Sequence, residues 1–205
     1  MYKSVIKRIL DITVSLSVAL LFLPILLVLA VLIKLDSKGP LFFTQIRVGR
    51  GLRTFKVIKL RTMIHENREV GDKPLIGKVP GVTRVGYFLR RFKIDEFPQV
   101  INVLKGDMSV VGPRPSIAQQ LQQMTDKEIR RYAVRPGLTG LSQVSGNIHL
   151  TWKERYYYDL IYIDNISLTN DLRIILKTFL IIFRGEEKFL HKPTYCKHNV
   201  NENPN

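Results

Sequence analysis

The dominant feature of the hydropathy pattern is an uncharged run of 22 residues from Ile12 to Ile33, interrupted only by Thr13, Ser15 and Ser17. At about 1.5 Å per residue, a helix of that length reaches across a bilayer core of roughly 30 Å. The run is too long for a typical signal-peptide core, and no small-x-small cleavage site follows before Lys34, so it is read as retained. Pro24 lies near its middle. Proline removes the amide that would bond the Leu20 carbonyl, so a kink or break is expected at Leu23-Pro24. Lys3, Lys7 and Arg8 precede the run and Lys34, Lys38, Arg47, Arg50 and Arg53 follow it, which gives the positive-inside rule no clean orientation. A re-entrant helix that bends at Pro24 keeps both basic flanks on one face, and this reading is preferred to a single span.

Beyond this run the pattern changes period. Asp36-Ser37-Lys38-Gly39-Pro40 reads as a turn, and two β-rich runs, Leu41 to Val48 and Thr54 to Leu60, flank Gly49-Arg50-Gly51 as a hairpin. Residues 66–82 are polar with scattered Gly and Pro, and read either as a mobile loop that closes over a substrate or as a plain surface loop. Asp95 reads as the N-cap of a short helix, with Pro98 tolerated in its first turn and Gly106 ending it after Lys105. Capping boxes are predicted at Thr125 with Glu128 and at Thr151 with Glu154. A last helix over about Asn170 to Arg184 places Leu172, Ile175, Leu176, Phe179, Ile182 and Phe183 on one face, widened by Ile174, Leu180 and Ile181. It either packs on the core or lies in a bilayer interface. Residues 185–205 lack periodicity and read as a disordered tail.

The expected fold is therefore α+β and mainly helical. It has three parts: a Pro-broken re-entrant membrane helix over 1–36, a small cytosolic-face domain over 37–184 with a short β-hairpin and amphipathic interfacial helices, and the tail over 185–205. A chain of 205 residues can bury a real core, and its single cysteine, Cys196, excludes a disulfide scaffold. The net charge of +15 is concentrated in residues 34–135, where 21 basic residues face nine acidic ones. A field of that sign attracts phosphates, whether on nucleic acid, anionic lipid or a phosphorylated small substrate.

The candidate chemistry lies in the same stretch. Asp95-Glu96 puts two carboxylates at a helix start, after Arg90, Arg91 and Lys93 and before Arg114. A helix N-terminus favours anions, a carboxylate or a phosphoryl group alike, although a capping aspartate with surface ion pairs produces the same pattern. Gly112-Pro113-Arg114-Pro115 is a rigid segment that sets the direction of the Arg114 guanidinium, as bidentate phosphate recognition requires. Arg135-Pro136-Gly137-Leu138-Thr139-Gly140 is a glycine-bearing loop that either presents amides to a phosphate or nucleobase or is a structural turn.

These motifs, taken in order, carry a resemblance. Lys7-Arg8…Asp11, the Pro-broken apolar helix, Phe43-Thr44-Gln45…Arg47…Gly49, Lys59-Leu60-Arg61-Thr62-Met63, Asp95-Glu96-Phe97-Pro98-Gln99, Asn102 through Ser109, Gly112-Pro113-Arg114-Pro115 and Arg135 through Gly140 together resemble the bacterial sugar transferases, the small monotopic phosphoglycosyl transferases. The match runs from about residue 3 to 184. It implies a membrane enzyme that moves a sugar 1-phosphate from a nucleotide diphosphate sugar, usually a UDP-sugar, to a polyprenol phosphate such as undecaprenyl phosphate, with release of the nucleoside monophosphate. By the resemblance Asp95 is the nucleophile that forms a phospho-sugar intermediate, Glu96 assists as acid or base, and Mg²⁺ serves the site with Asp95 as its ligand. Arg114 and Arg90, joined by Lys59 and Arg61, are the expected phosphate-binding cations. Pro136, Gly137, Thr139, Gly140 and Gln143 are the nucleotide-loop candidates. Asp95 has to be ionised to attack, and its basic neighbours are expected to favour that form.

The chain departs from the family pattern at Leu23, where the family commonly has serine before the helix-breaking proline; Ser17 is the candidate substitute hydroxyl. Sugar contacts are expected from the 68–82 loop and residues 143–150. Localisation is expected at the cytoplasmic face of a bacterial inner membrane, and a homodimer is left open. The competing reading is a membrane-tethered basic module that binds anionic lipid or nucleic acid. Nucleic acid is not an expected partner, because Tyr156-Tyr157-Tyr158 and Tyr162 lie away from the basic stretch, and His65, His149, His191 and His198 are too scattered for a metal site.

Overall fold

The computed structural model describes residues 2–64 and 81–184. Most of the polar 66–82 loop and the whole 185–205 tail lie outside those residues.

The apolar run forms one helix, α1 (Lys7–Asp36), entered through a π-helical turn at Tyr2–Ile6. Pro24 does not divide it in two, since helix continues on both sides. Most of its surface faces outward: of its most apolar 18-residue window only 17% is buried. It is the single helix among the described residues long and apolar enough to cross a membrane. One edge is buried, with Phe22, Leu29 and Ile33 packed on Leu60 and Leu89, and the Phe22 ring stacked on Phe97 with centroids 4.5 Å apart.

Both ends of α1 grip the rest of the chain. At the start, Arg8 donates to the carbonyls of Val103 and Leu104 at 2.7 and 3.0 Å, and Asp11 accepts from the Ser109 hydroxyl and the Val110 amide. At the far end, Asp36 accepts from the Val85 amide at 2.9 Å, and the Arg61 guanidinium donates to the carbonyls of Ile33, Ser37 and Lys38. Gly39 (φ 130°) is required there, because a Cβ would lie 2.1 Å from Arg61 Nη1.

The hairpin forms as the alternation predicts. β1 (Phe42–Val48) pairs antiparallel with β2 (Thr54–Leu60), placing Phe43, Gln45 and Arg47 opposite Lys59, Val57 and Phe55. Next comes α2 (Arg84–Arg91), a helix that periodicity does not announce, capped by the Thr83 hydroxyl accepting from the Gly86 amide. Gly86 lets this helix press on the Thr62 backbone, which a Cβ would meet at 2.1 Å.

The chain then turns through Lys93, a non-glycine residue at φ 55°, into a 3₁₀ helix (Ile94–Gln99) and α3 (Val100–Lys105), which ends at Gly106 (φ 93°) as expected. Asp95 is thus not the N-cap. It sits inside the 3₁₀ turn, and Lys93 holds the cap position. The Asn102 side chain covers the outer edge of β2, bonding Lys56 O at 2.8 Å and the Ile58 amide at 3.2 Å.

β3 (Ser109–Val111) and β4 (Gly137–Thr139) form a two-stranded parallel pair. Between them lie α4 (Asp126–Ile129) and a 3₁₀ turn at Arg130–Ala133, and after them α5 (Leu141–Val144), α6 (Trp152–Asp164) and α7 (Leu168–Arg184). Both predicted capping boxes are formed, at α4 and α6. Val111, Val144, Tyr162, Ile166, Ile174 and Ile181 make the core beneath α7, which leaves Leu172, Leu176, Phe179, Leu180 and Phe183 exposed along one face.

Candidate active site

The Asp-Glu pair is held from below by the apolar helix. Phe97, one residue past Glu96, stacks on Phe22, and Ile94 joins the same cluster, so the 3₁₀ turn is fixed to α1 and β2. In a 3₁₀ helix, with three residues per turn, neighbouring side chains diverge by about 120°. The two carboxylates therefore meet different surroundings.

Glu96 is neutralised twice over. Its Oε1 accepts from Lys59 Nζ at 2.6 Å and from Arg114 Nη2 at 2.8 Å, and Oε2 lies 3.5 Å from Arg114 Nη1. Burial alone would raise its pKa, but Arg114 and Lys59 outweigh burial and hold the carboxyl well below the usual range. Asp95 is the opposite case. It is 9% exposed, and among the described residues no hydrogen bond or ion pair holds its carboxylate. Burial first, and the Glu96 charge second, push its pKa up to about 6 against the pull of Lys59, Arg90 and Arg114. The basic neighbours favour the ionised form as expected, but burial, joined by the Glu96 charge, outweighs them.

The surrounding cations come from four places in the chain. Arg90 of α2 donates from Nε to the Thr62 hydroxyl at 3.0 Å and senses the Asp95 charge, which offsets part of the lowering that burial causes. Lys59 comes from β2 and Arg114 from the Gly-Pro-Arg-Pro segment. Arg47 of β1, which the motif reading does not single out for the site, lies on the same hairpin face as Lys59. Its guanidinium donates to Gln45 Oε1 at 2.5 Å, and burial, then Arg114, lower its pKa to about 10 against the opposing pull of Glu96. The strand alternation that pairs Phe43 with Lys59 contained this signal, since Arg47 lies four residues on from Phe43. Among the described residues, four cations face two carboxylates here, which leaves an anion-attracting excess.

Not every expected residue joins them. Arg61 is buried and committed to the end of α1, so it is a structural cap and not a phosphate ligand. The Arg135–Gly140 segment is not an open loop presenting amides. Gly137–Thr139 is a strand, the Gly137 amide donates to Pro113 O at 2.9 Å, and Thr139 O accepts from the Gly112 amide at 2.9 Å. Gly137 lies so close to Gly112 that a Cβ on it would be 2.1 Å from the Gly112 nitrogen. Thr139 Oγ1 is engaged with Thr178 Oγ1, and Gln143 Nε2 donates to Leu138 O. Pro136, through its carbonyl, accepts from the Ser109 amide. Gly140, before α5, packs against the Gly112 carbonyl, which a Cβ would meet at 2.2 Å. These five residues build the β3–β4 pair that carries Gly112–Pro115. Leu23 and Ser17 are exposed on α1, and among the described residues Ser17 makes no bond that replaces a hydroxyl at position 23.

Comparison with known proteins relates the sequence of this chain to a family. Residues 2–185 match the family model described as bacterial sugar transferase. The chain is 35% identical over 196 residues to the UDP-galactose-lipid carrier transferase of Erwinia amylovora, covering 88% of this chain and 41% of that protein. It is 42% identical over 200 residues to the UDP-glucose:undecaprenyl-phosphate glucose-1-phosphate transferase of Klebsiella pneumoniae, covering 93% of this chain and 42% of that protein. It is also 42% identical over 186 residues to the exopolysaccharide production protein PSS of Rhizobium leguminosarum bv. phaseoli, covering 85% of this chain and 93% of that protein. The chain spans about two fifths of the length of the first two relatives and nearly all of the third. The chain belongs to the bacterial sugar transferase family.

Proposed function

We propose that this chain transfers a sugar 1-phosphate from a UDP-sugar to undecaprenyl phosphate, in two steps through a phospho-aspartate. The observation that carries the reading is the division of labour between adjacent carboxylates. Glu96 is saturated by Lys59 and Arg114, whereas Asp95 is buried, has no hydrogen bond or ion pair among the described residues, and lies in the field of Lys59, Arg90 and Arg114. In the first step an Asp95 oxygen attacks the phosphorus that bears the sugar. The bond to the bridging diphosphate oxygen breaks, and UMP leaves with that electron pair. In the second, an undecaprenyl phosphate oxygen attacks the same phosphorus and the Asp95 carboxylate is released. Covalent catalysis of this kind gives ping-pong kinetics and lets one site serve a soluble donor and a lipid acceptor in turn.

The cations lower the repulsion between a carboxylate and a diphosphate. Arg114 and Arg90 are assigned to the donor phosphates, with Arg47 and Lys59 adding to the field. Glu96 orients Lys59 and Arg114; as a carboxylate held ionised it is poorly suited to proton transfer. Among the described residues no group of three His, Cys, Asp or Glu gathers for a metal. A single free carboxylate nonetheless suits Mg²⁺, which commonly takes one or two protein carboxylates and completes its shell with substrate phosphates and water. Asp95 is the residue that would hold it, and the ion would supply charge neutralisation of the diphosphate.

The membrane reading follows from α1. Its start holds Val103, Leu104, Ser109 and Val110, and its end holds Val85 and Arg61, so both ends meet the same domain. A helix crossing the bilayer would deliver its ends to opposite sides of a core of roughly 30 Å. The contacts favour a re-entrant helix with the domain at the cytoplasmic face of the inner membrane, where a nucleotide sugar is available. The exposed apolar face of α7 provides a second lipid contact.

The test is a donor panel. Protein in nanodiscs is given UDP-glucose, UDP-galactose, UDP-N-acetylglucosamine or UDP-N-acetylgalactosamine with Mg²⁺ and undecaprenyl phosphate. Matched release of UMP and lipid-linked sugar phosphate with at least one donor is expected, and a panel with neither product overturns the reading.

A further inference from the structure

A second charged cluster lies next to the site without containing any residue of it. Arg131, in the 3₁₀ turn after α4, and Asp159 of α6 are both buried, their side chains 3% and 1% exposed. Arg131 Nε and Nη2 donate to Asp159 Oδ2 at 3.0 and 2.6 Å, while the Ser142 hydroxyl donates to Oδ1 at 2.9 Å. The guanidinium faces the Tyr132 and Tyr156 rings at 5.3 and 5.1 Å from their centroids. Its remaining donors reach the segment that carries Arg114: Nη2 to Arg114 O at 2.7 Å, and Nη1 to the Ser116 hydroxyl.

A buried ion pair is a weak stability device, because desolvation offsets most of the attraction and apolar residues of similar volume do as well. What a guanidinium alone does here is bind a carbonyl, a hydroxyl and a carboxylate from one rigid plane. The carbonyl and the hydroxyl, of Arg114 and Ser116, belong to a stretch whose backbone is fixed from outside at both ends, and the carboxylate belongs to α6. Pro113 O accepts from the Gly137 amide, and Ser116 O accepts from the Val48 amide of β1 at 2.9 Å. Arg131 thus ties the stretch between these two anchors to α6, and Arg114 points from that stretch to Glu96.

We propose that Arg131, held by Asp159, is a positioning residue for the transfer reaction, fixing the backbone of residues 113–116 so that the Arg114 guanidinium stays on Glu96 and at the donor phosphates. The proposal rests on the transferase reading above.

Two experiments test it in the full chain in nanodiscs. In the first, Arg131→Lys keeps a cation beside Asp159 but cannot make the three contacts together, and is expected to lower kcat/KM by about 10- to 100-fold. Arg114→Ala is expected to lower it by about 100-fold or more. The double variant should be no more than about threefold worse than Arg114→Ala alone, because Arg131 acts through Arg114. Losses that multiply would show a general structural role and overturn the proposal. Arg130→Ala, which breaks a surface pair with Asp164, is the control and should leave the kinetics unchanged.

The second experiment needs no activity. Arg131→Lys should speed hydrogen exchange at the Val48 and Gly137 amides about tenfold, with α7 amides unchanged. Unchanged exchange at Val48 and Gly137 overturns the proposal. Failure of wild type to transfer from any donor strikes the transferase reading instead, and the exchange comparison then decides the holding role.

Discussion

Asp95 and Glu96 are chemically near-identical and adjacent, yet their surroundings separate them. Glu96 is kept ionised by Lys59 and Arg114, whereas Asp95 bears the cost of burial beside a like charge. The sign of the consequence follows by linkage. A carboxyl whose pKa rises from 3.8 to about 6 on folding stabilises the fold fully below about pH 4, and that contribution is lost as pH climbs through 6. Asp95→Asn should therefore stabilise the magnesium-free protein at pH 7.5 by on the order of 1–3 kcal/mol. The gain should vanish near pH 4, as thermal unfolding at the two pH values will show. The same ionisation governs attack, and a Mg²⁺ ion on Asp95 would favour the carboxylate, so with saturating Mg²⁺ the rise of kcat/KM in a pH–rate profile should fall below about pH 6. Glu96→Gln, which frees Lys59 and Arg114, should lower kcat/KM by about 10- to 100-fold, read from the same transfer assay.

At the scale of elements, Lys59 and Arg61 show what a sequence discloses and what it withholds. Both have the parity of one strand face, but β2 ends at Leu60, so the alternation that sends Lys59 to the site does not extend to Arg61. Arg61→Met should destabilise the fold by about 2–4 kcal/mol, leaving three carbonyls at the end of α1 without their guanidinium. Its KM for the donor, measured on folded protein, should change less than twofold. The hairpin, the Gly106 stop and both capping boxes are legible because turn and cap chemistry is local. β4 is not, because Gly137–Thr139 becomes a strand only through pairing with Ser109–Val111, nearly 30 residues away. α2 is too short for its period to stand out. On α7 the wide apolar stripe is visible in sequence, and the fold divides it between a core edge at Ile174 and Ile181 and an outward face. Leu176→Ser with Phe179→Ser should leave thermal stability within about 0.5 kcal/mol while abolishing photolabelling of α7 by a bilayer-embedded carbene.

Across the whole molecule, the apolar helix serves as the base of the site. Phe22 of α1 stacks on Phe97, one residue beyond Glu96, and the two ends of α1 are pinned to the domain that holds Arg90 and Arg114. On the proposed function, a reaction centre mounted on this apolar helix would keep its nucleophile near the bilayer surface, where a lipid phosphate would arrive. Asp95, Glu96, Lys59, Arg90 and Arg114, which the order of motifs singles out, are brought together by the fold, each a charged residue beside a turn or strand end. The Arg131–Asp159 tether was not readable, because its members lie 28 residues apart and meet only when α6 packs on the 3₁₀ turn.

The covalent step is the central claim, and one measurement addresses it directly. Protein in nanodiscs is incubated with Mg²⁺ and the active UDP-sugar labelled with ³²P in the sugar-bearing phosphate, without lipid acceptor, and the denatured protein is digested and mapped. The account predicts label on the peptide containing Asp95, absent in Asp95→Asn and discharged when undecaprenyl phosphate is added before denaturation. Lipid-linked product formed at the wild-type rate by Asp95→Asn, or turnover with no label ever retained on that peptide, would contradict it.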